Sequence, residues 1–378
     1  MTVCIPNLKQ TLKLENPLDD TSRAQPLAKE DLREIHPDII DVDNSIHPPG
    51  TRQPARSRHP IPAAKFLLSP TPPLVYSDIS IDPLTHIVDH PPWPQENAVP
   101  YSFLSHTLAT LSKTRSRIII INTLTNCLRT ISKHDPASLL PALYLLSNSL
   151  SPPYLPIELC LGHSIISKSI QQVSGLTPAA LKRLYTTTGD IGDVAFEAKS
   201  NLRTLVPHPP LLVSGVYNAL HKISNCKGQG AEKQKQNIVE KLLISAKGEE
   251  TRFLVRTLSM NLRVGAVRTS ILTALARAMV LTYPSTISGK QLADSPYHAT
   301  ENFVANLPVS TADSARNEIT EKFVLAEGLI KKIYVQRPNY DHIVTALLEA
   351  GLDGLAERVP LVVGKYYFQL SIILPTCL

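Results

Sequence analysis

Residues 256–278 read RTLSMNLRVGAVRTSILTALARA. Arg256, Arg263, Arg268 and Arg277 interrupt a run built mainly of Leu, Val, Ile, Ala and Thr, and no acidic residue stands between them. Apolar residues at helical spacing on either side of SMNLRVG predict two helices joined by a non-helical link. In GEETRFLVRTL, Phe253, Leu254 and Leu258 share one stripe while Arg252 and Arg256 share another. In AVRTSILTALARA, Val267, Ile271, Leu275 and Ala278 fall on the inward side. Gly265 is free to take a positive φ, and the second helix is expected to begin near it. A helix start carries orphan N–H groups and partial positive charge, the makings of an anion site. Arg263 beside it adds a planar fork that grips phosphate oxygens or enters a narrow minor groove. The structural alternative pairs Arg252 and Arg256 with Glu249 and Glu250 one turn away. It reaches neither Arg263 nor Arg268.

The surrounding chain is basic. Between Lys199 and Arg277 stand thirteen Lys or Arg against four Asp or Glu, an excess larger than the +6 of the whole 378-residue chain. Charge concentrated in this way points to a polyanion partner or to a solvated basic face. Hydrophobic residues make up 43 % of the sequence and aromatics 5 %, a composition suited to helix packing. The five cysteines are scattered and never spaced as CxxC, which argues against a disulfide framework or a zinc site. No run approaches the ~20 apolar residues of a membrane helix, and the N-terminus lacks the apolar core of a signal peptide. A soluble intracellular protein with no membrane partner is expected.

Three segments follow from composition. Seventeen of the 32 prolines lie in the first 100 residues, so 1–98 is expected to be largely disordered, with one short helix over AKEDLREI. Residues 99–364 are expected to form an all-α domain, because cap, Pro and Gly signals punctuate a series of helical periods. Asp135-Pro136, Thr177-Pro178, Gly175 and Gly189 mark starts and stops. The tail KYYFQLSIILPTCL, 365–378, departs from this pattern and reads as a short strand or an aberrant C-terminus.

GEETRFLVRTLSMNLRVGAVRTSILTALARA resembles the hallmark segment in the N-terminal DNA-binding domain of eukaryotic and archaeal ATP-dependent DNA ligases, DNA ligase I-like members above all. Against E-x-x-[FY]-[LI]-x-R-x-L-x-x-x-[LM]-R-[IV]-G, the matches are Phe253, Leu254, Arg256, Leu258, Leu262, Arg263, Val264 and Gly265, with Glu249 one position off the frame. RSRIIIINTLTNCLR, LLPALYLLSNSLSPPY, IELCLGHSIISKSI, GDIGDVAFEAKS and LVPHPPLLVSGVYNALHKIS are similar pieces in the same order. The resemblance implies a helical domain that embraces duplex or nicked DNA through the minor groove without reading sequence. It places DNA contacts at Met260, Arg263, Gly265 and Val267, with Arg268 beside them. Further contacts fall on Ser116 and Arg117 at one helix start and Gly189 and Gly192 at another. Met260 stands where a small or polar residue is common, and Cys160 where the family has Gly.

The K-x-D-G motif that carries the AMP-accepting lysine of such ligases is absent; Gly351 takes the place of the Lys before Asp353-Gly354. The expectation is therefore a DNA-binding domain truncated before the adenylation and OB domains, with no catalytic residue, no metal site and no cofactor. ATP and Mg²⁺ belong only to a full-length parent. Roles in DNA replication, repair and recombination, protein partners for the N-terminal tail, and a nuclear or mitochondrial location are implied by the same resemblance. The rival readings are a helical protein-interaction scaffold and a ligase subunit completed in trans.

Overall fold

The computed structural model describes residues 76–94, 98–200, 208–283, 295–299 and 309–359. The expected short helix over AKEDLREI and the C-terminal segment 365–378 lie outside the described residues. Within them the chain forms thirteen α-helices: α1 (Tyr101–Ser112), α2 (Arg117–His134), α3 (Leu139–Leu146), α4 (His163–Ser174), α5 (Pro178–Thr188), α6 (Ile191–Ser200), α7 (Val213–Asn225), α8 (Ala231–Ser245), α9 (Glu249–Leu258), α10 (Arg268–Leu281), α11 (Val309–Gln336), α12 (Tyr340–Ala350) and α13 (Leu355–Arg358). The described residues include no strand, only an isolated bridge between Pro100 and Leu212. The fold is all-α, as the periodicity predicts.

The cap signals explain several boundaries. Gly175 and Gly189 end α4 and α5 in the left-handed region, at φ 70° and 67°, where a glycine carries no Cβ penalty. Thr177 Oγ1 accepts the Ala180 N–H at the start of α5, followed by Pro178 at the first helical position. The Ile118–Ile121 run is helical, part of the first turns of α2.

α10 is the central helix. Eleven of its fourteen residues are buried, so it is apolar all round rather than amphipathic. It packs against α2 on one side and α11 on another. Ala274, Ala276 and Ala278 are fully buried, and their small side chains let neighbouring helices approach closely. α9 packs on α1 and α6, α8 on α4, and α3 on α7 and α12. A helix with no exposed stripe has to bury its cations or place them at its rim, and α10 places Arg268 at its first position and Arg277 near its end.

The Pro-rich region does not run to 98 as expected. Residues 76–94 are irregular, with a turn at 83–85, yet belong to the folded body: Ile79, Val88 and Trp93 are buried. Proline denies this strap a helix of its own, so α2 side chains satisfy its carbonyls. Asn126 Nδ2 donates to the carbonyls of Ile79 at 3.0 Å and Ile81 at 2.9 Å. Arg129 donates to Pro83 and His86, at 3.0 and 3.1 Å. Trp93 closes on Phe103 of α1, ring centroids 5.0 Å apart.

Asn126→Ala strands a buried carbonyl and is expected to destabilise the fold by about 2 kcal/mol. Limited proteolysis should cut the variant between 76 and 94 faster than wild type, with urea denaturation measuring the loss. An unchanged cleavage rate would show that α2 does not hold the strap.

Candidate nucleic-acid interface

The arginines flagged in the sequence divide into those that serve the fold and those that face solvent. Arg256 is buried. Its Nε donates to Asp190 Oδ1 at 3.0 Å, and a terminal nitrogen donates to Asp193 Oδ1 at 3.1 Å. Arg252 lies over the Phe196 ring, 4.1 Å from its centroid, with Nε 2.7 Å from Asp193 Oδ1 and a terminal nitrogen on Glu249 at 2.5 Å. Arg277 pairs with Glu327 of α11 at 2.9 Å. Arg268 sits 5.9 Å from the Tyr334 ring centroid. Although no acidic residue stands between the four arginines in sequence, three of them, Arg256, Arg263 and Arg277, meet carboxylates in the fold. The partners of Arg256 lie more than sixty residues upstream, and Arg256 does not use Glu249 or Glu250; only Arg252–Glu249 is the one-turn pair.

Asp190 joins these parts. Its Oδ1 accepts the Asp193 N–H at 2.9 Å, closing the start of α6, and also takes Arg256. Its Oδ2 faces Arg263 Nε at 2.9 Å, and an Arg263 terminal nitrogen donates to the Gly189 carbonyl at 3.2 Å. Gly192, expected at an open helix entrance, is instead buried between α6 and α9. A Cβ there would meet Arg256 Cγ at 2.7 Å, the Arg252 carbonyl at 2.8 Å and Asp190 Oδ1 at 2.9 Å. The glycine lets Arg256 lie flat against α6. Gly189 is at the surface, where its carbonyl steadies Arg263.

The 259–267 link runs from α9 to α10. Left-handed backbone occurs at Met260 (φ 55°) and Arg263 (φ 53°), and Gly265 is not among the positive-φ residues. Gly265 lies close to α2: a Cβ would come within 3.0 Å of Ile120 Cδ1, which would have to give by a few tenths of an ångström, with the Thr114 carbonyl at 3.7 Å. This contact lays the link beside the start of α2. α10 begins at Arg268, three residues later than expected, with extended Val267 at its N-cap. From Asn261 to Val267 the chain alternates. Leu262 is buried and Val264 and Ala266 are half-buried, while Asn261, Arg263, Gly265 and Val267 are exposed. This period-two pattern presents one solvent-facing row on a backbone pinned from below.

Two helix starts flank that row. The amides of Arg268 and Thr269 precede the first intrahelical acceptor bonds of α10, where Ser270 and Ile271 both donate to the Val267 carbonyl. At the start of α2, Lys113, Arg115, Ser116 and Arg117 are exposed, and Ile118 is 71 % exposed. Neither Lys113, Arg115 nor Arg117 is paired with a described carboxylate. Exposed guanidinium groups, free helix N–H groups and a backbone row with a glycine at its middle make a surface that can hold the oxygens of a polyanion. Of the sequence-flagged residues, Ser116, Arg117, Met260, Arg263, Gly265, Val267 and Arg268 are all exposed, and the approach of Gly265 to Ile120 lays the link beside the start of α2. Sequence reasoning missed Lys113 and Arg115, which precede the helix, and Asp190, which is far away in the chain.

The acid in frame with Phe253 in E-x-x-F is Glu250, which is buried and accepts the Lys247 N–H at 2.8 Å. Burial pushes its carboxyl up to about 6 from the ordinary 4.5. The folded protein thus holds this proton to higher pH than the unfolded chain, and stability falls as pH rises from about 4.5 to about 6. Nearby Lys199, whose Nζ donates to the carbonyls of Leu243 and of Ala246 (2.6 Å), is pushed down by burial to about 8.

Gly192→Ala is expected to cost about 2 kcal/mol or more, since the opposing Arg252 carbonyl is backbone and cannot step aside. Thermal unfolding checks it, and a neutral result would deny the close α6–α9 approach. Glu250→Gln keeps an acceptor for Lys247 and removes the buried charge. It should raise stability at pH 7 by about 2 kcal/mol and flatten the decline between pH 4.5 and 6. Urea titrations at the two pH values decide it.

Residues 100–276 match the profile of the family described as DNA ligase N terminus. DNA ligase 3 of Schizosaccharomyces pombe is 35 % identical over 259 residues, 68 % of this chain and 30 % of that protein. DNA ligase 6 of Arabidopsis thaliana is 30 % identical over 276 residues, 73 % of this chain and 18 % of the relative. DNA ligase 1 of Saccharomyces cerevisiae is 28 % identical over 258 residues, 68 % and 31 % of the two chains. The alignments with these relatives span less than a third of their length. No described helix is long and apolar enough to cross a membrane. With its all-helical body, its 259–267 link and this match, the chain carries an N-terminal domain of the DNA ligase family.

Proposed function

We propose that this chain binds duplex or nicked DNA, independently of sequence, through the 259–267 link and the first turns of α2 and α10. The supporting observation is the exposed row Asn261–Arg263–Gly265–Val267 set between two helix starts, with Lys113, Arg115 and Arg117 beside it. Phosphate contacts from side chains and helix N–H groups position a protein on a duplex without reading bases. The missing side chain at Gly265 lets the link lie close against the start of α2, which sets the exposed row beside those cations. The surface would serve the DNA-engaging step of ligation in replication, repair and recombination, in a nuclear or mitochondrial setting. The 378-residue sequence contains no K-x-D-G, so these residues alone are proposed neither to accept AMP nor to seal a nick. ATP and Mg²⁺ would be needed only by a protein that also carries the catalytic domains.

Fluorescence anisotropy with nicked and intact duplexes of unrelated sequence tests the reading. Affinities should agree among sequences and fall log-linearly with salt, each neutralised phosphate contributing about −0.9 to the slope. A salt-insensitive interaction, or none, would leave the protein-scaffold reading in its place.

Val267→Asp separates binding from folding. Val267 occupies an N-cap with extended backbone and is 57 % exposed, and Asp is among the best residues for that position. The variant should melt at or above the wild-type temperature, yet bind DNA about tenfold more weakly, a loss of ~1.4 kcal/mol from one negative charge in the row. Undiminished binding would move the interface elsewhere. Incubation with labelled ATP should give no covalent adduct, and an adenylated protein would overturn the non-catalytic part of the proposal.

A further inference from the structure

Within the proposed interface the cations are not equivalent, and the difference lies in what stands behind each. Arg263 is half-exposed, its side chain 48 % accessible, yet it leans on Asp190, whose side chain is 5 % accessible. Asp190 Oδ1 is already occupied by the Asp193 N–H and by Arg256 Nε. Its Oδ2 is the oxygen that Arg263 covers, at 2.9 Å. The surrounding groups balance in charge: Arg252, Arg256 and Arg263 against Asp190, Asp193 and Glu249. Moving Arg263 outward to a phosphate would uncover a buried carboxylate oxygen, the costly half of a broken buried pair. The second bond of Arg263, to the Gly189 carbonyl at 3.2 Å, and its left-handed backbone at φ 53° also fix its direction.

We infer that Asp190 is a positioning residue for DNA binding: it holds Arg263 at the surface as an oriented, charge-neutralised hydrogen-bond donor, while Lys113, Arg115 and Arg117 supply the charge that displaces counterions. The inference rests on the DNA-binding reading and specifies how its residues divide the work. An arginine already neutralised by an internal carboxylate has little condensed counterion to release from the duplex, so it shapes the fit without setting the salt dependence. The three cations at the start of α2 have no such described partner and act as phosphate neutralisers. The planar fork matters at position 263 because two of its nitrogens are committed inward and the rest of the fork faces out. A lysine has one nitrogen for both directions.

The test measures DNA affinity of the full chain against salt for wild type, Arg263→Ala, Arg263→Lys and Arg117→Ala, on one labelled nicked duplex, with circular dichroism confirming the fold. Arg263→Ala should weaken binding about fivefold or more at every salt concentration and leave the slope of log affinity against log salt unchanged. Arg263→Lys should fail to restore affinity. Arg117→Ala should lower the slope by about 0.9. If Arg263→Ala lowers the slope by the same amount and Arg263→Lys restores it, Arg263 leaves Asp190 for a phosphate and the inference is overturned while DNA binding stands. Should Arg263→Ala fail to fold, the Arg263→Lys slope and affinity set against Arg117→Ala carry the decision. A wild-type protein that binds no duplex removes the underlying reading itself.

Discussion

One buried carboxylate ties the surface to the fold. Asp190 closes the start of α6, receives Arg256 from α9 and receives Arg263 from the link that follows it, so the start of α6 and a continuous stretch more than sixty residues downstream meet on two oxygen atoms. Removing one member of such a buried pair typically costs about 3–5 kcal/mol, because the remaining charge is left without water or partner. The arrangement is possible only because Gly192 offers no Cβ where Arg256 crosses α6. Charge, backbone and the missing side chain are one constraint: the arginine must lie flat, and the carboxylate must wait underneath it.

That constraint sets how the link is displayed. Leu262 is buried, Gly265 rests against Ile120, and the chain then enters a helix buried on nearly every side. The exposed row Asn261, Arg263, Gly265 and Val267 is therefore anchored at both ends and from below. A surface held this way loses little conformational freedom when a ligand settles on it, which favours binding without any added contact. The approach of Gly265 to Ile120 brings the start of α10, three residues on, near the start of α2.

Much of this was legible in residue order. The caps at Thr177 and Gly189 and the existence of α9 and α10 follow from local rules acting over three or four residues. The resemblance carried by RTLSMNLRVG located the link and most of its exposed residues. Other features were hidden. Proline-bearing residues 76–94 read as a tail, but they pack as a strap because side chains of α2 donate to their carbonyls. Gly265 read as a conformational hinge, but its φ is not positive and it instead lies close to Ile120, while Met260 and Arg263 carry the left-handed turns. Cys160, singled out as a departure from a glycine position, does hold a left-handed backbone, φ 46°, which explains why a glycine suits that place.

What the amino-acid order determined by itself was the all-helical class, the placement of most helices and the site of the break between α9 and α10. These depend on periodicity and capping, which are short-range. The tertiary structure alone decided which arginines are free. Arg256 and Asp190 are sixty-six residues apart in the chain and 3.0 Å apart in space, and no local pattern can pair them. Coulombic partnership is settled by folded distance and burial, so the same residue type became a buried strut at 256, a rim contact at 277 and an outward-facing donor at 263.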